Sequence, residues 1–176
     1  MRIIAGSLGG RNFDSPHSAR THPMSDRVRG ALFNALGDIQ GLTVLDAFAG
    51  TGALSFEALS RGAESVLAVE IDKPAQRTIE TSAKSLGLQR NFKLVKANCS
   101  GWSDNNPDKQ FDIVIAAPPY DDLQQSVVAK LVRHTMADGL YILDWPGKAE
   151  APELPGMEIV EQKSYGDAQL IFYRPA

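Results

Sequence analysis

Hydrophobic positions along this chain fall into two regimes that meet near Thr43. Upstream, in "SDRVRGALFNALG", Val28, Leu32, Ala35 and Leu36 recur at helical spacing and share one face. Ser25 or Asp26 can cap the start of that helix and Gly37 can end it. Ahead of it, "MRIIAG" and "GGRNFD" are short runs around a Gly-rich turn, which predicts a small hairpin, followed by an irregular stretch with Pro16 and Pro23. From Thr43 onward, short apolar runs alternate with helical stretches. "TVLDAF" reads as a buried strand, Ala53 to Leu59 as a helix, "SVLAVEI" as a strand, and Pro74 to Leu86 as a helix with proline in its first turn. "NFKLVKA" and "FDIVIAA" are further strands, followed by a helix from about Leu123 to His134 and the strand "GLYILDW".

Strands separated by helices predict a parallel sheet covered on both faces. "MEIVEQKSYG" and "DAQLIFYRP" have no helix between them, so they should form an antiparallel pair at one end of that sheet. The expected architecture is therefore α/β: a Rossmann-like, doubly wound sheet with an antiparallel C-terminal hairpin and a small N-terminal β-hairpin. All 176 residues fit one domain. Residues 1–24 form an appendage, and residues 25–176 form the core.

Composition changes this picture little. No apolar run is long enough to cross a bilayer and no charged-then-apolar leader opens the chain, so a cytoplasmic monomer with no membrane partner is expected. The lone Cys99 can form no internal disulfide, and histidines at 17, 22 and 134 give no spacing for a metal site. Charge is more informative. Residues 1–34 carry five arginines (Arg2, Arg11, Arg20, Arg27, Arg29) against Asp14 and Asp26, a surplus of three, which leaves the remainder at −6 of a net −3. A basic edge of this kind suits phosphates, because counterion release rewards clustered cations; five solvated arginines are also common in any segment.

The loop "VLDAFAGTGALSFEAL" carries Gly50 and Gly52 between the first strand and its helix, where backbone can approach a ligand at the strand ends. It departs from a dinucleotide fingerprint, since the third glycine would fall at Ser55 and Asp46 would face a pyrophosphate. An acid there suits a cation. Glu70 ends the second strand at the spacing where a carboxylate accepts from both hydroxyls of a ribose, and Asn98, after the third, can both donate to and accept from an adenine edge. Together these residues suit S-adenosylmethionine, with its sulfonium and amino group near acid. Phe48, Ile71 and Cys99 complete the candidate cofactor-binding set, although a buried thiol is the ordinary state of Cys99.

With those residues assembled, the chain resembles the bacterial 16S ribosomal RNA guanine-N2 methyltransferases, the RsmD-like family, over essentially its whole length. "MRIIAG" with "GGR" and "DRVRGALFN" is similar to that family's N-terminal signature, "VLDAFAGTGALSFEALSRGA" to its cofactor loop, and "YGDAQLIFY" to its closing strands. "FDIVIAAPPY" falls where the family has an acidic or amide residue before Pro-Pro-aromatic. The resemblance implies a class I S-adenosylmethionine-dependent methyltransferase fold and, as acceptor, the exocyclic amine of a guanine in small-subunit rRNA or the 30S particle. By position, Asp46, Gly50, Gly52, Glu70 and Asn98 would hold the cofactor, and Pro118 to Tyr120 the base. Arg2, Arg11, Arg27 and Arg29 are the candidate RNA-binding residues. His22 and Met24 stand where the family usually has Arg and Thr, and Gly30 replaces an acidic residue.

The departure that touches the chemistry is Ala117. A guanine N2 amine is a poor nucleophile, because its lone pair is delocalised into the ring. Two acceptors on its two N–H bonds can aim that lone pair at the methyl group. In the resemblance, the side chain before Pro-Pro supplies one acceptor and a backbone carbonyl, here that of Pro118, supplies the other. Pro119 fixes the backbone and Tyr120 stacks on the flipped-out base. Loss of one charged acceptor costs about 1.5–3 kcal/mol, hence roughly ten- to hundredfold in rate. Asp121 and Asp122 could substitute, but capping the next helix is the expected job of acids there. Two functions stay open: a methyltransferase with turnover, or a relative that binds cofactor and ribosomal particle without it. A dinucleotide oxidoreductase is disfavoured by Asp46 and the missing third glycine.

Overall fold

Residues 1–16 and 23–176 are described by a computed structural model; His17, Arg20 and His22 lie outside them. Helix α1 (Asp26–Leu36) begins where expected, with the Ser25 hydroxyl oxygen accepting the Val28 N–H at 3.2 Å. It ends at Gly37, whose φ of 70° only glycine adopts at little cost.

The remaining elements, in chain order, are β1 (Thr43–Ala47), α2 (Ala53–Ser60), β2 (Ser65–Glu70), α3 (Lys73–Ser85), β3 (Phe92–Lys96), α4 (Cys99–Asn105), β4 (Phe111–Ala116), α5 (Gln125–Lys130) with a 3-10 turn (Leu131–His134), β5 (Thr135–Pro146), β6 (Met157–Tyr165) and β7 (Ala168–Pro175). The strands form one sheet in the order β3-β2-β1-β4-β5-β7-β6. The first five are parallel and β7 runs antiparallel to both of its neighbours, so the expected C-terminal hairpin extends the sheet. Strand order reverses between β1 and β4, the point at which α/β sheets open a crevice beyond their carboxyl ends.

The central strands are apolar on both faces, because helices cover both. Val44, Ile113, Ile115 and Ile142 pack under Val28, Leu32 and Phe33 of α1 and Leu54 and Ala58 of α2. Leu45, Val114 and Leu143 pack on the opposite side against Trp102 of α4 and Val128 of α5.

Four details differ from the sequence reading. Helix α4 lies in a stretch where no helix was expected. The long helix from Leu123 is a short α-helix that tightens into a 3-10 turn. Neither Asp121 nor Asp122 caps it: Gln124 occupies that position with no side-chain bond, and both acids are exposed. The N-terminal hairpin is reduced to one antiparallel bridge, Arg2 with Asn12, flanked by backbone bonds from Ile3 to Arg11 and from Phe13 to Met1.

What fastens that N-terminal segment is buried charge. Glu57 of α2 is fully buried and its carboxylate accepts the backbone N–H groups of Ile4 and Ala5 at 2.9 and 3.1 Å. The Ser60 hydroxyl donates to the Ala5 carbonyl at 2.6 Å and accepts from the Leu8 N–H at 2.9 Å. Gly6 passes so close that a Cβ there would sit 2.1 Å from the Ser60 carbonyl oxygen. Arg29 belongs to the same network, which corrects its placement among the RNA-binding residues. It is fully buried, donating to the Arg2 carbonyl at 2.8 Å and to Asp26 at 2.9 Å, with Nε 3.6 Å from Glu57. Its terminal nitrogens are taken up by the Met24 and Arg2 carbonyls and Asp26, so Arg29 ties α1 to the N-terminal segment rather than serving a phosphate.

Candidate functional site

The crevice is built on two strand ends. β1 delivers Asp46, then turns through Phe48, Gly50 and Gly52, at φ of 63°, 60° and 81°. At Gly52 a Cβ would lie 2.8 Å from the Phe56 ring, so both backbone angle and packing demand glycine. Asp46 is fully buried. One carboxylate oxygen accepts the Ser55 hydroxyl at 2.6 Å, and the other has no partner among the described residues. Burial pushes its pKa up to about 7, the Ser55 hydroxyl opposes the rise, and the nearby Glu70 carboxylate adds to it.

Glu70 ends β2 and organises the loop from the side. Its two oxygens accept the N–H groups of Gly50 at 2.6 Å and of Asp72 at 2.8 Å, while burial raises its pKa. A carboxylate oxygen carries two lone-pair sites, so capacity remains for hydroxyl donors. Ile71, next in line, is 60 % exposed, an apolar surface at the crevice edge.

Asn98 caps α4, its side-chain oxygen accepting the Gly101 N–H at 2.6 Å. Its amide NH₂ donates to no group among the described residues, and its oxygen keeps a second lone-pair site. Cys99 is buried, which pushes its thiol up to about 12; the structure makes it wall rather than nucleophile. The Glu70 and Asp46 carboxylates add to that rise.

β4 brings the second half. The Ala117 N–H reaches the Ala47 carbonyl at 3.4 Å, so the Pro-Pro-Tyr segment starts where the glycine loop starts. Tyr120 remains 42 % exposed and offers a ring face. Its hydroxyl donates to Asp144 at 2.5 Å, with the Trp145 carbonyl at 3.2 Å as a secondary acceptor of the same hydrogen, and burial with that carboxylate raises its pKa. Asp144 is half-buried, and its own pKa is lifted by burial to about 6. The sequence reading passed over this residue, together with Ser55 and Glu57. The signal was an acid at the end of an otherwise apolar strand, "GLYILDW", the same signal that singled out Asp46.

The arrangement fits a cationic ligand bearing a ribose and a flat apolar base. The Asp46 oxygen, enclosed just behind the loop, lacks a donor, Glu70 keeps capacity for hydroxyls, and Ile71 offers an apolar face. A concavity of about 610 Å³ lies at the opposite end of the sheet, lined by Glu64, Arg90, Phe92 and Lys109 where the strands begin. It contains none of these groups.

Of the four candidate RNA-binding arginines, Arg2, Arg11 and Arg27 are exposed. Arg2 faces Asp26 at 3.4 Å, Arg11 donates to the Ser85 carbonyl at 3.2 Å, and Arg27 lies 5.8 Å from the Tyr165 ring centroid. Exposed contacts of this type are worth little and are readily exchanged for a phosphate.

The family model described as "Conserved hypothetical protein 95" matches residues 1–174. A Bacillus subtilis protein, YlbH, provisionally named as an rRNA methyltransferase, is 29 % identical over 99 % of this chain and 98 % of its own length. Ribosomal RNA small subunit methyltransferase D of Escherichia coli is 35 % identical over 68 % of this chain; the match spans 60 % of that protein's length. Among solved structures, a provisionally named methyltransferase of Escherichia coli, yhhF, superposes with a TM-score of 0.87 at 27 % identity, covering 100 % of this chain and 99 % of that one.

Proposed function

The chain belongs to the RsmD-like family of rRNA methyltransferases, and we propose that it methylates the exocyclic N2 amine of a guanine in small-subunit rRNA, with S-adenosylmethionine as donor. The observation that carries this reading is the meeting of two half-sites at the switch point. The buried acids of β1 and β2 stand beside the glycine loop, and the Pro-Pro-Tyr segment that follows β4 starts beside the end of β1, where the Ala117 N–H meets the Ala47 carbonyl.

When bound, S-adenosylmethionine supplies an electrophilic methyl group on a sulfonium. Asp46 would accept from its amino group and Glu70 from its ribose, with the adenine over Ile71 and its edge near the Asn98 amide. The target base would lie on the Tyr120 ring, with one amine N–H on the Pro118 carbonyl. Arg2 and Arg27 at the start of α1, and Arg11 beside the end of α3, are proposed to meet rRNA phosphates. The segment around Ala117 has a second reading, particle binding without turnover, because alanine leaves the amine one acceptor short.

Incubation with labelled donor and unmodified 30S particles, followed by mapping of the label, distinguishes the two. Label at one guanine N2 is expected. Particle and cofactor binding with no label at any guanine would establish the silent reading. A further expected result concerns Ile71: Ile71→Ser should weaken S-adenosylhomocysteine binding about five- to tenfold by calorimetry, since uncovering some 50 Å² of apolar contact costs about 1 kcal/mol. An unchanged affinity would remove Ile71 from the site.

A further inference from the structure

Ala117 leaves a gap in the acceptor set, yet a carboxylate lies alongside it. β4 and β5 are parallel, with Ala116 registered on Leu143. The next residues outward, Ala117 and Asp144, are therefore neighbours across the two strands, which in a sheet lie about 4.8 Å apart. Their side chains leave the same face. Ile115 and Ile142, two residues earlier on each strand, and Leu170, registered opposite Asp144 on β7, all belong to the apolar cluster on which Ala117 packs. Asp144 is the acid at the crevice end of that row.

One oxygen of Asp144, Oδ1, accepts the Tyr120 hydroxyl. Oδ2 accepts no hydrogen bond among the described residues. We propose that Asp144 supplies the acceptor that Ala117 lacks, its Oδ2 taking one N–H of the target amine while the Pro118 carbonyl takes the other. This assignment rests on the guanine-N2 reading above. In the step so arranged, the N2 lone pair forms the new N–C bond as the donor's C–S bond breaks and its electrons stay on sulfur. The surplus proton then passes from nitrogen to Asp144 Oδ2 and on to solvent. Burial lifts Asp144 to about 6, so at neutral pH it is mostly ionised yet more basic than an ordinary carboxylate. The Tyr120 bond holds the acid and the stacking ring in one geometry, which couples base placement to amine placement.

A bland role competes: Asp144 could only anchor Tyr120. Asp144→Asn separates the two, because the amide oxygen still accepts the Tyr120 hydroxyl while the second position becomes an NH₂ donor that cannot receive an amine N–H. The measurement is kcat on unmodified 30S particles with labelled donor for the wild type, D144N, A117D and the double variant, alongside S-adenosylhomocysteine affinity as a check on the fold. The expected results are a ten- to hundredfold loss of kcat in D144N with unchanged affinity, and recovery to within a few-fold when A117D is added to D144N. Wild-type kcat in D144N, or no recovery in the double variant, overturns the role of Asp144 and leaves the guanine-N2 reading standing. An inactive wild type that A117D switches on also overturns it, since no acceptor is then in place. If wild type and A117D are both inactive, the guanine-N2 reading itself falls, and this assignment with it.

Discussion

Glu57→Ala is expected to lower the melting temperature by about 10 °C or more, although Glu57 lies outside the crevice. Its carboxylate is fully buried and accepts from three donors, the N–H groups of Ile4 and Ala5 and Arg61 at 2.8 Å, with the Arg29 guanidinium as an ion-pair partner at 3.6 Å. Arg29 Nε makes no hydrogen bond among the described residues, so its attraction to Glu57 is Coulombic. Truncation strands two backbone donors and leaves a buried cation with Asp26, half-exposed, as its remaining acidic partner. Breaking a buried pair from one side costs about 3–5 kcal/mol, and about 2–4 °C of melting temperature accompanies each kcal/mol in a chain of this size. Removing the cation as well, in Glu57→Ala with Arg29→Met, should recover part of the loss. Released residues 1–16 should also become sensitive to trypsin at Arg2 and Arg11 while cofactor binding persists. A melting temperature within 2 °C of wild type would show that the network does not hold the segment.

That network also marks where sequence reading stops. The sheet was legible because apolar runs of strand length, separated by helical stretches, leave few other architectures. The glycine loop was legible for a related reason: Gly50 and Gly52 answer to backbone angle, and an acid inside a buried strand, such as Asp46, has no use in packing. Arg29 was misplaced because an arginine on an amphipathic helix ordinarily faces solvent, and its burial depends on Glu57, 28 residues further on. Helix α4 was missed because "CSGWSDN" has no apolar period; it is held by the Asn98 cap and by Trp102 in the core. Asn98 itself was legible as a polar residue after the right strand, but not as a residue already engaged by Gly101. Asp144 needed strand register. Nothing within "GLYILDW" says that its acid will lie beside Ala117 and under the Tyr120 hydroxyl.

Asp46→Asn should move stability and cofactor affinity in opposite directions at pH 8. The folded-state pKa of Asp46, about 7, is raised above its ordinary 3.8 chiefly by burial. The folded protein therefore holds a proton on this group between about pH 4 and 7 that the unfolded chain has released. Its contribution to stability is full below pH 4 and declines as pH rises to about 7, above which a bare carboxylate sits in the core beside Glu70. Asparagine has no proton to lose and can still accept from Ser55. The variant without ligand should accordingly match wild type near pH 4 and exceed it at pH 8 by on the order of 2–4 kcal/mol, read from chemical denaturation at the two pH values. Ligand binding runs the other way. If Asp46 receives the donor's ammonium, wild-type affinity for S-adenosylhomocysteine, which carries the same amino group, should rise between pH 6 and 8 as the carboxyl ionises. The variant should bind about ten- to hundredfold more weakly at pH 8, the value of one charge-assisted hydrogen bond, with little pH dependence over that range. Equal affinity of the two proteins at pH 8 by calorimetry would show that the unpartnered oxygen of Asp46 does not face the ligand.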